Sequence, residues 1–94
     1  MKKYSISSET KTSHGIVGGY TDYATINELV SAYLDRKNEG IQITNVGLSL
    51  DYINSLNYLE RENIVERDLL EVLDIFEVCG INDFRLSFGR LFYK

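Results

Sequence analysis

His14 is the chain's one histidine, and it heads a glycine-rich stretch, Ser13-His14-Gly15-Ile16-Val17-Gly18-Gly19-Tyr20. An imidazole can act as a general base or bind a metal, but it does neither without partners. The one cysteine, Cys79, lies far along the chain among apolar residues, where a small core residue is expected. Carboxylates are plentiful, yet acid–base catalysis needs two that converge on a cleft. Those on the second predicted helix fall mostly on its polar face rather than in a predicted cleft. The glycines suggest another chemistry, because backbone N–H groups before a helix can cradle a phosphate. Gly15-x-x-Gly18-Gly19 lies between a predicted strand and a predicted helix, which is the required order. No Gly-Lys-Ser/Thr follows, however, GxGxxG is absent, and Tyr20-Thr21-Asp22-Tyr23 separates the glycines from the helix. The favoured reading is a β-hairpin. Ser13-His14-Gly15 turns the chain, Ile16 and Val17 begin the return strand, and Gly18-Gly19 makes a bulge. A mobile functional loop or a small-ligand or nucleotide site at Gly15–Gly19 is the alternative. No catalytic residue, metal ligand or cofactor is expected.

Ile16-Val17-Gly18-Gly19-Tyr20 also resembles the mature N-terminus of trypsin-like serine proteases. In that family proteolysis after a basic residue frees the Ile amino group. Here Gly15 precedes Ile16, no "GDSGG" setting exists for a nucleophile, and the chain is too short for two barrels. The match is a coincidence of five residues.

The elements that hold these residues can be read from spacing. Tyr4 and Ile6 alternate with Lys3, Ser5, Ser7 and Glu9, which suits a half-buried strand. Thr25-Ile26-Asn27-Glu28 is a capping box, followed by an apolar stripe of Ile26, Leu29, Val30, Tyr33 and Leu34. Arg36 and Lys37 suit the end of that helix, and Gly40 suits a left-handed stop. Asn63-x-x-Glu66 opens a second helix whose stripe is Val65, Leu69, Val72, Leu73, Phe76 and Cys79, with Gly80 as its stop. In both places Gly-Ile and a predicted strand follow. Leu50, Ile53, Leu56 and Leu59 leave a short helix open between them. The whole predicts a single domain over residues 1–94. Its class is α+β, a small, mostly antiparallel sheet with two principal helices packed on one face.

With 44% hydrophobic and 26% charged residues, the chain is too apolar for disorder and suits one ordinary core. No apolar run approaches the ~18 residues that span a bilayer. The polar start lacks the apolar centre of a signal peptide, so a cytoplasmic location, in a bacterial host cell, is expected. The net charge of −4 is uneven. Asp51, Glu60, Glu62, Glu66, Asp68, Glu71, Asp74 and Glu77 face only Arg61 and Arg67 over residues 51–77, whereas Arg85, Arg90 and Lys94 make the tail positive. Free nucleic acid and anionic membranes therefore suit the middle of the chain poorly as partners, and a basic protein surface suits it well.

Glu66, Glu71, Asp74 and Glu77 fall opposite or beside the apolar stripe of the second helix. Asp74 and Glu77 stand near its C-terminal end, where the helix dipole disfavours anions by a few tenths of a kcal/mol each. Tyr20 and Tyr23 precede the first helix, and tyrosine is enriched at interfaces because it combines large area with low entropy cost. These six residues are the expected partner-binding set. In brevity, acidity, tyrosine content and lack of proline and tryptophan, the chain resembles the small anti-defence proteins of phages and mobile elements, of the anti-CRISPR and antirestriction type. That resemblance implies a non-enzymatic, stoichiometric inhibitor of a basic nucleic-acid-handling protein, working without a cofactor. Two further functions remain open: a homo-oligomeric assembly subunit that pairs through its C-terminal strand ("RLSFGRLFY"), and a nucleotide binder using Gly15–Gly19.

Overall fold

The computed structural model describes the backbone of residues 1–88 and 91–93 and the side chains of residues 1–86. The chain runs β1 (Tyr4–Thr12), β2 (Gly15–Tyr23), α1 (Ile26–Asn38), β3 (Gln42–Leu48), α2 (Leu50–Ser55), α3 (Arg61–Val78), β4 (Leu86–Phe88) and β5 (Leu91–Tyr93). One five-stranded sheet forms in the order β2-β1-β3-β4-β5. Its neighbours are antiparallel except for the parallel pair β3–β4. The expected α+β class is therefore observed. Gly89, Arg90 and Lys94, which belong to the basic tail and to the "RLSFGRLFY" segment, lie outside the described residues.

The core forms where the apolar periods of strand and helix meet. Tyr4 and Ile6 of β1 and Val46 and Leu48 of β3 point to one face of the sheet. There they join Leu29 and Tyr33 of α1 and Val65, Leu69, Val72 and Phe76 of α3. Each such burial contributes roughly 1.5–3 kcal/mol. Ser5 departs from the simple alternation. It lies on the other face yet is buried, with its hydroxyl donating to the Leu48 carbonyl at 3.2 Å. A bulge sits on β3, because the register shifts between Ser7↔Asn45 and Ser8↔Ile43 and leaves Thr44 as the extra residue. That shift turns Ile43 to the core side with Val46 although they are three residues apart.

Both long helices end in the same way. Gly40 and Gly80 each have φ +77°, the left-handed region that favours glycine. The Gly40 and Ile41 amides donate to the Lys37 and Arg36 carbonyls, and those of Gly80 and Ile81 to Glu77 and Phe76. A Cβ at Gly80 would meet nothing within 4 Å, so its cost is conformational rather than steric. Gly80→Ala is expected to lower the unfolding free energy by about 1–2 kcal/mol, read from a urea titration.

Several details differ from the sequence reading. The Thr25 hydroxyl caps α1 as expected, accepting from the Glu28 amide at 3.2 Å, but Leu34 is exposed because it rolls past the edge of the stripe. α3 begins at Arg61, so Asn63 lies inside its first turn, and its N-cap, Glu60, makes no side-chain capping bond. Cys79 is exposed, not a core residue. Its angle on the wheel fits the stripe, but the helix ends at Val78 and the cap turns the chain away. The short helix left open is α2, which buries Ile53, while Leu59 lies beyond it and is exposed.

The hairpin is the favoured one, with Ser13-His14 as its two-residue turn. It contains no bulge at Gly18-Gly19: pairing of β1 with β2 runs unbroken from Tyr4↔Tyr23 to Thr12↔Gly15. β3 follows β1 only as far as Glu9, so Thr10–Thr12 pairs with Gly15–Val17 alone. Every residue from Glu9 to Thr21 is exposed. The molecule is accordingly elongated, 45 × 30 × 23 Å, with this two-stranded arm reaching past the helix layer.

Candidate interaction surface

α3 presents Val65, Asp68, Leu69, Val72 and Phe76 to the core, and the 3.6-residue period dictates what the other side carries. Asn63, Glu66, Arg67, Leu70, Glu71, Asp74, Glu77 and Val78 are all exposed on its outer side. Among the described residues, none of the four acids Glu66, Glu71, Asp74 and Glu77 forms an ion pair. Arg67 pairs with Asp68, at 3.7 Å, rather than with Glu71. No basic residue occupies the last turn of α3, so Asp74 and Glu77 oppose the dipole without local compensation.

Apolar groups stand among these acids. Leu70 is 52% exposed and Val78 84% exposed. Asn63, Glu66, Arg67, Leu70, Glu71, Asp74 and Ile75 line a shallow, open depression of about 630 Å³. The exposed Tyr58 and Leu59 lie just before α3, with the Arg61 guanidinium 5.9 Å from the Tyr58 ring centre. A protein interface combines such apolar anchors with a polar rim. Sequence reasoning found the acids, counted Tyr58 only among the tyrosines and placed Leu59 in a possible short helix, and passed over Leu70 and Val78. The signal was present, since Leu70 and Val78 break the polar side of the wheel.

The two tyrosines are not brought together. Tyr20 pairs with Ser7 and Tyr23 with Tyr4, so they point to opposite faces of the sheet. Tyr20 is 52% exposed, and its hydroxyl accepts from the Leu50 amide at 3.3 Å. Tyr23 packs against the core, with Arg36 5.8 Å from its ring centre. Neither joins the acidic side of α3.

The glycines do not form a phosphate cradle. Gly15, Gly18 and Gly19 belong to the paired strand β2, where successive N–H groups alternate in direction and cannot converge on one anion. Among the described residues, no group of three or more His, Cys, Asp or Glu is placed to hold a metal ion. No helix among them is long and apolar enough to cross a membrane. Compared with protein-family models, with curated protein sequences and with solved structures, the chain matches none.

Proposed function

We propose that this chain is a non-enzymatic protein-binding module whose outer α3 side engages a basic protein surface. The observation that carries this reading is the set of exposed acids without ion pairs among the described residues, Glu66, Glu71 and Asp74 around the exposed Leu70, with Glu77 one turn further along α3. Leu70 supplies an apolar anchor and the carboxylates supply steering and register. A surface evolved to hold nucleic acid offers the complementary lysines and arginines. Occupying it one-to-one would block a nucleic-acid-handling enzyme, the mode of the anti-defence proteins that the chain resembles. Tyr20 belongs to a separate surface in this reading, and Tyr23 supports the fold.

The test is capture from a bacterial lysate on the immobilised chain, beside a variant carrying Glu71→Lys, Asp74→Lys and Glu77→Lys. A basic nucleic-acid-handling protein is expected on the wild type, displaced by added duplex DNA and by rising salt. The variant is expected to bind it at least tenfold more weakly. Equal retention by the charge-reversed chain overturns the reading.

A further inference from the structure

The outer edge of β2 is the one long strand edge in the described structure without a partner, and it carries none of the usual protection. Proline, a bulge, a short strand or an inward lysine would blunt such an edge. β2 has none of these: it spans Gly15–Tyr23 in unbroken register, with Asp22 its only charge. Which of its backbone groups face outward follows from the neighbouring ladders. The Ser49 amide donates to the Lys3 carbonyl at 2.8 Å, so odd residues of β1 bond toward β3 and even ones toward β2. By the same alternation Ile16, Gly18, Tyr20 and Asp22 direct their N–H and C=O groups away from the sheet.

We infer that this edge pairs with β2 of a second copy, antiparallel about a two-fold axis at Gly18. Only registers that oppose even residues satisfy the outward groups, and this one is also complementary in its side chains. Ile16 meets Tyr20 of the second copy as an aromatic–β-branched cross-strand pair, while Gly18 meets Gly18 and Val17 meets Gly19. The His14 turn comes beside Asp22, whose Oδ1 is buried and without a hydrogen-bond partner within the chain. Room exists because the arm outreaches the helices. α1 touches β2 at Thr21, through Arg36 at 3.3 Å, and at Tyr23, and α2 reaches it through the Leu50 amide on the Tyr20 hydroxyl at 3.3 Å. In the pair the α1 contacts lie roughly 20 Å or more apart along the strands, twice a helix diameter, and the Tyr20 contacts, four residues apart, roughly 13 Å. The pairing also answers a stability problem. A lone two-stranded ribbon is marginal in water, and in the dimer the arm becomes part of a four-stranded one. With about nine residues a side, well below the 20–30 of a standard interface, the association is concentration-dependent.

Sedimentation of the wild-type chain from about 1 μM to 1 mM is expected to show a rise from one chain mass toward two. Gly18→Pro keeps the β1 ladder, because the Gly18 N–H points outward, and is expected to weaken the dimer at least tenfold. A second arm does not depend on that variant folding. Gly18→Cys in a Cys79→Ser background has nothing within 4 Å of the new Cβ and is expected to cross-link to itself on oxidation. Cα atoms of a hydrogen-bonded pair lie about 5.5 Å apart, within disulfide reach. Ile16→Cys in the same background is expected not to cross-link. A wild-type monomer throughout the range, a dimer indifferent to Gly18→Pro, or cross-linking at Ile16 but not at Gly18 overturns the inference.

Discussion

Phe76→Ala is expected to lower the unfolding free energy by about 3–5 kcal/mol, measured by urea titration. Small domains hold only about 5–15 kcal/mol in total, so the loss removes a large fraction of the stability. The size follows from position. Phe76 is 0% exposed and joins three parts of the fold at once. Its ring meets Tyr33 of α1 edge-on at 5.2 Å and Phe84, ahead of β4, at 4.8 Å. Truncation leaves a cavity between elements distant in sequence. Val78→Ala, at an 84% exposed site on the same helix, serves as the control and is expected to stay within about 0.5 kcal/mol. A Phe76 variant that loses no more than the control would mean that α3 does not organise the core.

The elements were legible in the sequence wherever the signal was local. The Thr25 cap, the Gly40 and Gly80 stops and the α3 stripe are each decided within one or two helical turns, and each was readable. The parallel β3–β4 pair was not, because strand order depends on how whole elements pack. Cys79 and Leu34 show the other limit. Their wheel positions indicate burial or its margin, but exposure depends on where a helix ends and how far its neighbour reaches. The candidate surface divides in the same way. The acids of α3 could be found from charge and period, while the separation of Tyr20 from Tyr23 follows from strand alternation once the segment is known to be β2.

Two separate surfaces carry the functional proposals, because α3 packs on β3 and β4 while β2 lies at the far edge beyond β1, and their independence has a consequence. The outer side of α3 is set by the helix layer, whereas the edge of β2 is set by an arm that extends beyond it. A dimer formed through β2 leaves both acidic helices free, so the module would present two copies of its proposed binding face. Linking two such faces raises avidity for any partner with two basic sites, without a new contact. The Gly18→Pro chain would then keep intrinsic affinity while losing that avidity.

Tyr52→Phe is expected to cost about 1.5–3 kcal/mol near neutral pH, the range for a hydrogen bond to a charged group. Asp68 of α3 is only 3% exposed, and its carboxylate is met by side chains from α2, from α3 itself and from the segment before β1. The Tyr52 hydroxyl of α2 donates to its Oδ2 at 2.5 Å, Lys3 Nζ stands 3.4 Å away, and Arg67 Nε lies 3.7 Å from Oδ1. Lys3 also lies 5.1 Å from the centre of the Tyr52 ring. Losing the phenol strips the closest donor from an enclosed carboxylate. The same contact sets a pH signature. Burial first, and then the bond to Asp68, push the Tyr52 phenol up from 10.0 to about 12. An unfolded chain ionises this group near the lower value and the folded chain near the higher one. The stabilisation is thus complete below pH 10 and is lost as pH rises toward 12. Urea midpoints measured from pH 8 upward are expected to fall more steeply for wild type than for Tyr52→Phe. The variant's remaining slope comes in part from Tyr4 and Tyr33, both raised chiefly by burial. Identical slopes would show that Tyr52 does not guard the Asp68 carboxylate, and the link from α2 to α3 would then rest on apolar packing alone.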